Sequence, residues 1–380
     1  MIKNFMKHIY KIIFYICEIF KLENNKIIFI EGTRENFTGN CEAIYKKIKD
    51  KSNYKFILIQ LYQSKKVKFN NIKQYNFLNP ISIYHIATSK YWISNEGFFN
   101  FLPKRKEQLN IQLWHGAGAF KKVGYSQEKN IKGKYEYYKE KNKTIDLLCI
   151  SSETVLEIYQ EIFCISKNKV KNLGIPRADI FFKKEEKEKI KEEFFKKYLF
   201  LKNKKIILYA PTFRDHNKRE LQIKLNIELM KEELEKLNYI LILKVHPNIK
   251  KNNLKVDNKF SFNFSEYDNV SDLLIVSDIL ISDYSSIIFE FSIMKKPILF
   301  YSYDVEEYIK DRGFYYNYYE FIPNKINYTT EEVIDSILNK KWDLERIEKF
   351  AKYFFNPFDG NSTERVLKKI GLLEKGEEIK

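Results

Sequence analysis

The sequence predicts an α/β protein of two parallel-sheet domains, and three observations carry that prediction. Short apolar runs alternate with helix-patterned segments through both halves of the chain, as strands crossed over by helices require. The stretch Asp278 to Tyr301 shows the pattern most plainly. It has an apolar run to Ser282, a polar break at Asp283-Tyr284-Ser285-Ser286, a helical segment and a second apolar run opened by Pro297, which together read as a βαβ unit. At 380 residues the chain is also long enough for two cores of ordinary size.

In chain order, residues 1–22 come first. Lys3, Lys7 and Lys11 stand at i, i+4 and i+8 beside a broad aromatic and aliphatic face. That pattern fits either a helix lying in a membrane interface, lysines toward acidic headgroups, or a helix packed on its own domain. Lys26–Ile30, Lys55–Leu61 and Tyr91–Ser94 read as strands, and Cys41–Lys51 as a helix. Glu31 and Gly32 follow the first strand, where ligands of parallel sheets bind, although an ordinary loop is the simpler reading. Gln112-Leu113-Trp114-His115-Gly116-Ala117-Gly118 closes the next strand. A histidine at a strand exit, beside glycines that admit close approach, makes His115 a catalytic candidate and Gly116 part of its surroundings.

Residues 126–143 are polar and tyrosine-rich and read as an exposed insertion. A strand near Ile145–Ser152, a helix to Phe163, a strand running into Arg177 and a charged helix from Lys183 to Tyr198 follow. The second half then repeats the alternation. One strand ends in Thr212 and Arg214, another in Lys244 and His246, and the third in Asp283, Ser285 and Ser286. If these strands are neighbours, their ends converge on one cleft. Ser285 and Ser286, at a helix start, either bind an anion or merely cap the helix. A capping box at Thr329–Glu332 opens a further helix, and Ser362–Leu373 closes the chain. The expected divisions are an amphipathic helix at 1–22, domains at 23–180 and 181–355, and a C-terminal helical segment at 356–380.

The balance of 67 Lys+Arg against 50 Asp+Glu, a net +17, favours anionic partners without choosing among nucleic acid, phosphorylated substrate and acidic membrane. Lys, Asn, Ile, Phe and Tyr are abundant even in structurally neutral stretches, so the charge is discounted. Four cysteines without CxxC spacing indicate neither a zinc site nor a redox pair. No apolar run is long enough to span a membrane and no leader cleavage site follows the N-terminal segment. There is no Walker motif, no GxGxxG after a strand and no HExxH. No metal site or cofactor is therefore indicated, and dependence on a divalent cation stays open. A positive cleft of this composition suits a diphosphate, with Arg214 clasping phosphate oxygens through its fork and Lys244 supplying a compact charge.

Leu113-Trp114-His115-Gly116, Leu208-Tyr209-Ala210-Pro211-Thr212-Phe213-Arg214-Asp215, Lys244-Val245-His246-Pro247, Ser282-Asp283-Tyr284-Ser285-Ser286, and Lys296-Pro297 through Asp304 with Arg312-Gly313-Phe314 resemble the CDP-glycerol glycerophosphotransferase family of teichoic acid synthesis. The resemblance implies a GT-B type fold of two Rossmann-like domains with the active site between them. It implies transfer of a polyol phosphate, glycerol phosphate first among them, from a CDP-polyol to a lipid-linked cell-envelope acceptor, with release of CMP. It places the protein peripherally on the cytoplasmic face of the membrane, against an anionic surface. By motif, His115 matches the family's proposed base and His246 its second essential histidine. Thr212, Arg214, Lys244, Asp283, Ser285 and Ser286 fall to the CDP and donor-phosphate site, and Gly116, Glu31 and Arg312 to the acceptor or cleft. Where the family usually carries Thr-Pro after His-Gly, this chain has Ala117-Gly118. Two other readings remain: a GT-B glycosyltransferase using a nucleotide sugar, and a non-catalytic basic module binding nucleic acid or membrane. The second leaves the histidines at two strand ends unexplained, and no nucleic-acid signature is present.

Overall fold

The computed structural model describes residues 2–32, 37–61, 69, 71–96, 101–212, 214, 223–245 and 256–373. The chain divides into two compact units, one of residues 1–116, 123–179 and 361–380, the other of 117–122 and 180–360. Each contains one all-parallel sheet.

In the first unit the strands are β1 (Glu23–Glu31), β2 (Lys55–Gln60), β3 (Ile72–Asn76), β4 (Ser89–Ser94), β5 (Leu109–Gln112), β6 (Leu147–Ile150) and β7 (Val170–Asn172). Their order is β3-β2-β1-β4-β5-β6-β7. The order reverses between β1 and β4, which pair in parallel from Ile27 beside Tyr91 to Ile30 beside Ser94. Both faces of β1 are covered, so its inner residues form an unbroken apolar run rather than an alternating one. One face buries Ile27 and Phe29 with Ile44 and Ile48 of α2 (Gly39–Ile48); the other buries Ile28 and Ile30 with Ile83 and Ile86 of α3 (Pro80–Thr88).

The N-terminal helix α1 (Ile2–Cys17) packs on α3. Tyr10, Phe14 and Cys17, spaced i, i+4 and i+7, are buried in the α3-side core. Its C-terminal carbonyls are met by Arg105, which donates to the oxygens of Cys17 at 2.8 Å and Phe20 at 2.9 Å. On the opposite face Phe5, Ile12, Ile16 and Ile19 stand exposed. One stripe of the helix is thus buried in its own domain, and a second apolar stripe is left outside.

The second unit holds β8 (Lys205–Ala210), β9 (Tyr239–Leu243), β10 (Ser261–Asn263), β11 (Ile279–Ser282), β12 (Ile298–Tyr301) and β13 (Ile326–Asn327). Their order is β10-β9-β8-β11-β12-β13. The strands carrying Lys244, Thr212 and Asp283 at their ends are therefore adjacent, as the convergence argument required. The order here reverses between β8 and β11, the position where open parallel sheets leave room for a ligand.

The C-terminal helix Ser362–Lys369 returns to the first unit, where Val366, Leu367 and Ile370 join the α2-side core. Its start is clasped by buried Asp179, whose oxygens accept from the backbone N–H groups of Ser362 at 2.9 Å and Thr363 at 2.7 Å. Segment 117–122 belongs to the second unit: Lys121 bridges to Phe314 in antiparallel fashion, and the N–H of Lys122 donates to the Gly313 oxygen at 3.1 Å. Gly118 sits there at φ +61, and a Cβ would lie 2.4 Å from the buried Phe289 ring. A side chain at position 118 would therefore be strained by its backbone and would collide with Phe289.

Replacing Asp179 with Ala leaves two buried N–H groups without acceptors, at about 1–3 kcal/mol each. The urea midpoint is expected to fall accordingly, and an unchanged midpoint would show that the clasp contributes nothing to stability.

Candidate active site

In the second unit the site is built at the carboxyl ends of β8 and β11. The chain leaves β8 through Pro211 and Thr212, and Asp283 follows β11 directly. Asp283 is 2% exposed and ties the two exits together. One oxygen accepts from the Thr212 N–H at 2.8 Å and from the Tyr284 N–H at 2.6 Å, while the other accepts from Arg214 at 2.9 Å.

Arg214 is the centre of this cluster. Its Nε and Nη2 donate to the two oxygens of Asp304 at 2.7 and 2.9 Å, a fork-to-fork pair. Nη1 donates to Asp283 and, at 2.6 Å, to the Thr212 carbonyl. The guanidinium lies over the rings of Tyr284 at 4.8 Å, Tyr308 at 5.2 Å and Tyr303 at 5.8 Å. Burial works against its charge, but the Asp283 carboxylate and the Asp304 pair outweigh that and raise its pKa above the ordinary arginine value. The same burial pushes the Tyr303 hydroxyl up to about 12, with Arg214 pulling the other way.

The sequence reading gave the Arg214 fork to a phosphate. In the structure both prongs of that fork are occupied by Asp304, because a guanidinium this enclosed is stable only beside carboxylates. Arg214 holds the strand exits in place. Lys244 is likewise directed inward: its ammonium donates to the carbonyls of Ser265 at 2.8 Å and Tyr267 at 2.6 Å, and burial lowers its pKa.

Ser285 and Ser286 precede the helix Ile287–Ile293. Ser286 stands at the cap position and makes no side-chain cap bond; Ser285 makes only a long one, 3.5 Å, from the Ile287 N–H. Both are half-buried. The Thr212 hydroxyl oxygen is buried and has no hydrogen-bond partner among the described residues. Three hydroxyls at one switch point, not engaged in holding the fold, are available to oxygen-rich ligands. His246 lies outside the described residues.

In the first unit His115 sits just beyond β5, half-buried, its ring 4.0 Å from that of Trp114. Trp114 adopts φ +56, a left-handed conformation unusual for so bulky a residue and costing of order 1–2 kcal/mol. Its neighbours hold it there. Asn40 donates to the Trp114 carbonyl at 2.7 Å and accepts from the Arg177 N–H at 2.9 Å, and Gln112 accepts from the Trp114 N–H at 2.8 Å. The Gly116 carbonyl accepts from the Tyr159 hydroxyl at 3.2 Å, and Phe163 packs edge-on against Trp114 at 5.1 Å. Glu31 is buried at the end of β1, accepting from Asn95 at 2.8 Å, and Asn95 in turn accepts from the Cys41 N–H. Arg312 ends the helix Val305–Asp311 in the second unit, next to the Gly313 and Phe314 backbone that pairs with Lys121 and Lys122.

Asn40, Gln112 and Asn95 in the first unit, and Asp304 with its tyrosines in the second, were not singled out from sequence. Asn40 at the start of α2 carries no local signal. Asp304 ends the Lys296–Asp304 segment, but only the fold brings it to Arg214. Among the described residues no group of three or more His, Cys, Asp or Glu side chains is placed to hold a metal ion.

The family model described as CDP-Glycerol:Poly(glycerophosphate) glycerophosphotransferase matches residues 12–372. The teichoic acid poly(ribitol-phosphate) polymerase of Bacillus spizizenii is 34% identical over 377 residues, covering 95% of this chain and 59% of that protein, so the chain spans only part of that relative's length. The teichoic acid ribitol-phosphate primase of the same organism is 31% identical over 379 residues, covering 96% of each. Among solved structures, the wall teichoic acid polymerase TagF superposes with a TM-score of 0.86 at 24% identity, over 98% of this chain and 95% of that one. The fold is thus the two-unit α/β fold of GT-B type.

Replacing Arg214 with Met strands Asp283 and Asp304, and breaking a buried ion pair in this way costs about 3–5 kcal/mol. Arg214→Lys, which keeps the charge but loses the fork, is expected to unfold in urea between the wild type and Arg214→Met. Equal midpoints for all three would contradict the structural role.

Proposed function

The chain belongs to the CDP-glycerol:poly(glycerophosphate) glycerophosphotransferase family, and we propose that it transfers a polyol phosphate, glycerol phosphate first, from a CDP-activated donor to a hydroxyl of a lipid-linked cell-envelope acceptor, releasing CMP. The observation that carries this reading is the gathering of Thr212, Asp283, Ser285 and Ser286 where the strand order reverses between β8 and β11.

In this reading His115 takes the proton of the acceptor hydroxyl, and the oxygen so freed attacks the phosphorus that bears the polyol. A new P–O bond forms there as the bond to the CMP oxygen breaks. CMP leaves as a phosphate monoester with a second pKa of about 6, so the departing group requires charge stabilisation more than a proton. The hydroxyls of Thr212, Ser285 and Ser286 and the first N–H groups of the following helix supply donors for it, and His246 is assigned to the same phosphates. Arg214 acts through others: by holding Asp283 it fixes the backbone of Thr212 and Tyr284 on either side of the donor.

Among the described residues no helix is long and apolar enough to cross a membrane. A lipid-linked acceptor nevertheless calls for a membrane surface, and α1 supports contact with one. Phe5 is 67% exposed and Ile19 78%, with Ile12 and Ile16 between them on one face. Leu78 and Ile81, at the start of α3, add to the exposed apolar area. An amphipathic helix of this kind lies in the interface plane. On this basis we infer a peripheral membrane protein, on the cytoplasmic face that the family resemblance implies.

Purified protein incubated with CDP-glycerol or CDP-ribitol over membranes bearing acceptor is expected to release CMP, and the faster donor identifies the polyol. His115→Ala should lower the rate about 10²–10⁴-fold; a near-normal rate would remove His115 from the chemistry. In vesicle flotation, Ile12→Asp with Ile16→Asp is expected to abolish binding to acidic vesicles while leaving the melting temperature within a few degrees of wild type. Retained binding would assign the membrane contact elsewhere.

A further inference from the structure

Helix α6 (Leu156–Phe163) has two working faces. Tyr159 and Phe163, at i and i+4, reach the His115 turn through the Gly116 carbonyl and the Trp114 ring. Glu157, Gln160 and Glu161, at i, i+3 and i+4, form a separate polar stripe. That stripe lines an open cleft of about 200 Å³ together with Tyr125, Tyr135, Cys164 and Ile165. The two tyrosines come from α4 (Tyr125–Glu128) and α5 (Lys134–Asn142) and meet edge to face at 5.5 Å. The tyrosine-rich insertion noted in the sequence is thus a wall of this cavity, one helix away from the proposed base, and all of it lies within the first unit.

We propose that this cavity is a subsite for a neutral pyranose ring of the acceptor glycan, an inference that rests on the transferase reading above. Its size is below the roughly 300–1,000 Å³ of pockets that take drug-sized molecules and suits a single ring. A pyranose presents apolar C–H faces edged by hydroxyls, and two tyrosine rings facing an amide and two carboxylates match both surfaces. The polar stripe also fixes the charge of the occupant. Glu157 and Glu161 are balanced by Lys129, which pairs with Glu161 at 3.3 Å, and by Lys139, whose ammonium stands 5.8 Å over the Tyr135 ring, so the walls hold no excess positive charge for a phosphate and match a neutral, hydroxyl-bearing occupant. The subsite therefore takes the unphosphorylated part of the acceptor, leaving the phosphate chemistry to the second unit. Seated on α6, a glycan is anchored to the same helix that fixes the His115 turn.

The test uses the full chain and saturation-transfer NMR with methyl glucopyranoside, ribitol and glycerol 3-phosphate, on wild type, Tyr135→Ala and Gln160→Ala. Tyr135 is 47% exposed, so its truncation leaves the fold intact, which a melting curve checks. Transfer to the pyranoside is expected in wild type and its loss in both variants, with the acceptor KM raised about fivefold, the loss of roughly 1 kcal/mol from one hydrogen bond or ring contact, and the donor KM unchanged. Unaltered transfer and acceptor KM in both variants overturns the subsite, as does stronger transfer to ribitol or glycerol 3-phosphate than to the pyranoside. Absence of CMP release from every CDP-polyol by the wild type would overturn the transferase reading instead, and the NMR comparison would still decide the cavity.

Discussion

The second unit depends on one guanidinium shared between two carboxylates. Asp283 leaves β11 buried, and Asp304 approaches from beyond β12; each carries a charge that the interior tolerates only if paired. Arg214 satisfies both, and its remaining face is covered by Tyr284, Tyr303 and Tyr308. The Tyr284 hydroxyl donates to Asp304 at 2.8 Å, so the aromatic cover is hydrogen-bonded to the ion cluster it encloses. The consequence is positional. Three segments are fixed relative to one another by this cluster, and the hydroxyls of Thr212, Ser285 and Ser286 stand beside it. Preorganisation of this kind is where electrostatic catalysis gains most, since no reorientation is needed as charge develops.

The first unit solves a comparable problem with neutral groups. Its histidine stands after a tryptophan in a left-handed conformation, and the backbone around that residue is held by the amides of Asn40 and Gln112 and by the Tyr159 hydroxyl. Strain of this type persists only where its surroundings over-determine it and concentrates at functional positions. The two units thus contribute different things to the proposed reaction. One offers a proton acceptor on a stiff turn, the other a set of donors around an ion-paired frame.

The amphipathic helix α1 shows why composition alone left its role open. Its residues are apolar over most of the circumference in two opposite stripes: Tyr10, Phe14 and Cys17 complete the core, and Phe5, Ile12 and Ile16 remain outside. A single hydrophobic pattern at helical spacing cannot distinguish a buried face from an interfacial one, since both exclude charge. Only the placement of α3 beneath the helix separates them.

By itself the sequence determined the two parallel-sheet halves and the strand exits that carry polar groups. These are local properties: periodicity fixes strand and helix, and a polar break after an apolar run marks where a strand ends. The partnership of β9, β8 and β11 followed from the same logic and needed the sheet order to establish it. Tertiary structure alone decided what Arg214 and Lys244 do. A side chain's formal charge is visible in sequence, but whether that charge meets a ligand or a buried carboxylate depends on residues such as Asp304, 90 positions away. Asn40 and Asn95 were silent for the same reason, each being an amide whose meaning is set by the backbone it meets. The return of the C-terminal helix to the first unit rests on Asp179 accepting from Ser362 and Thr363, a contact across more than 180 residues. Local pattern places the elements, and long-range satisfaction of buried polar groups assigns their side chains.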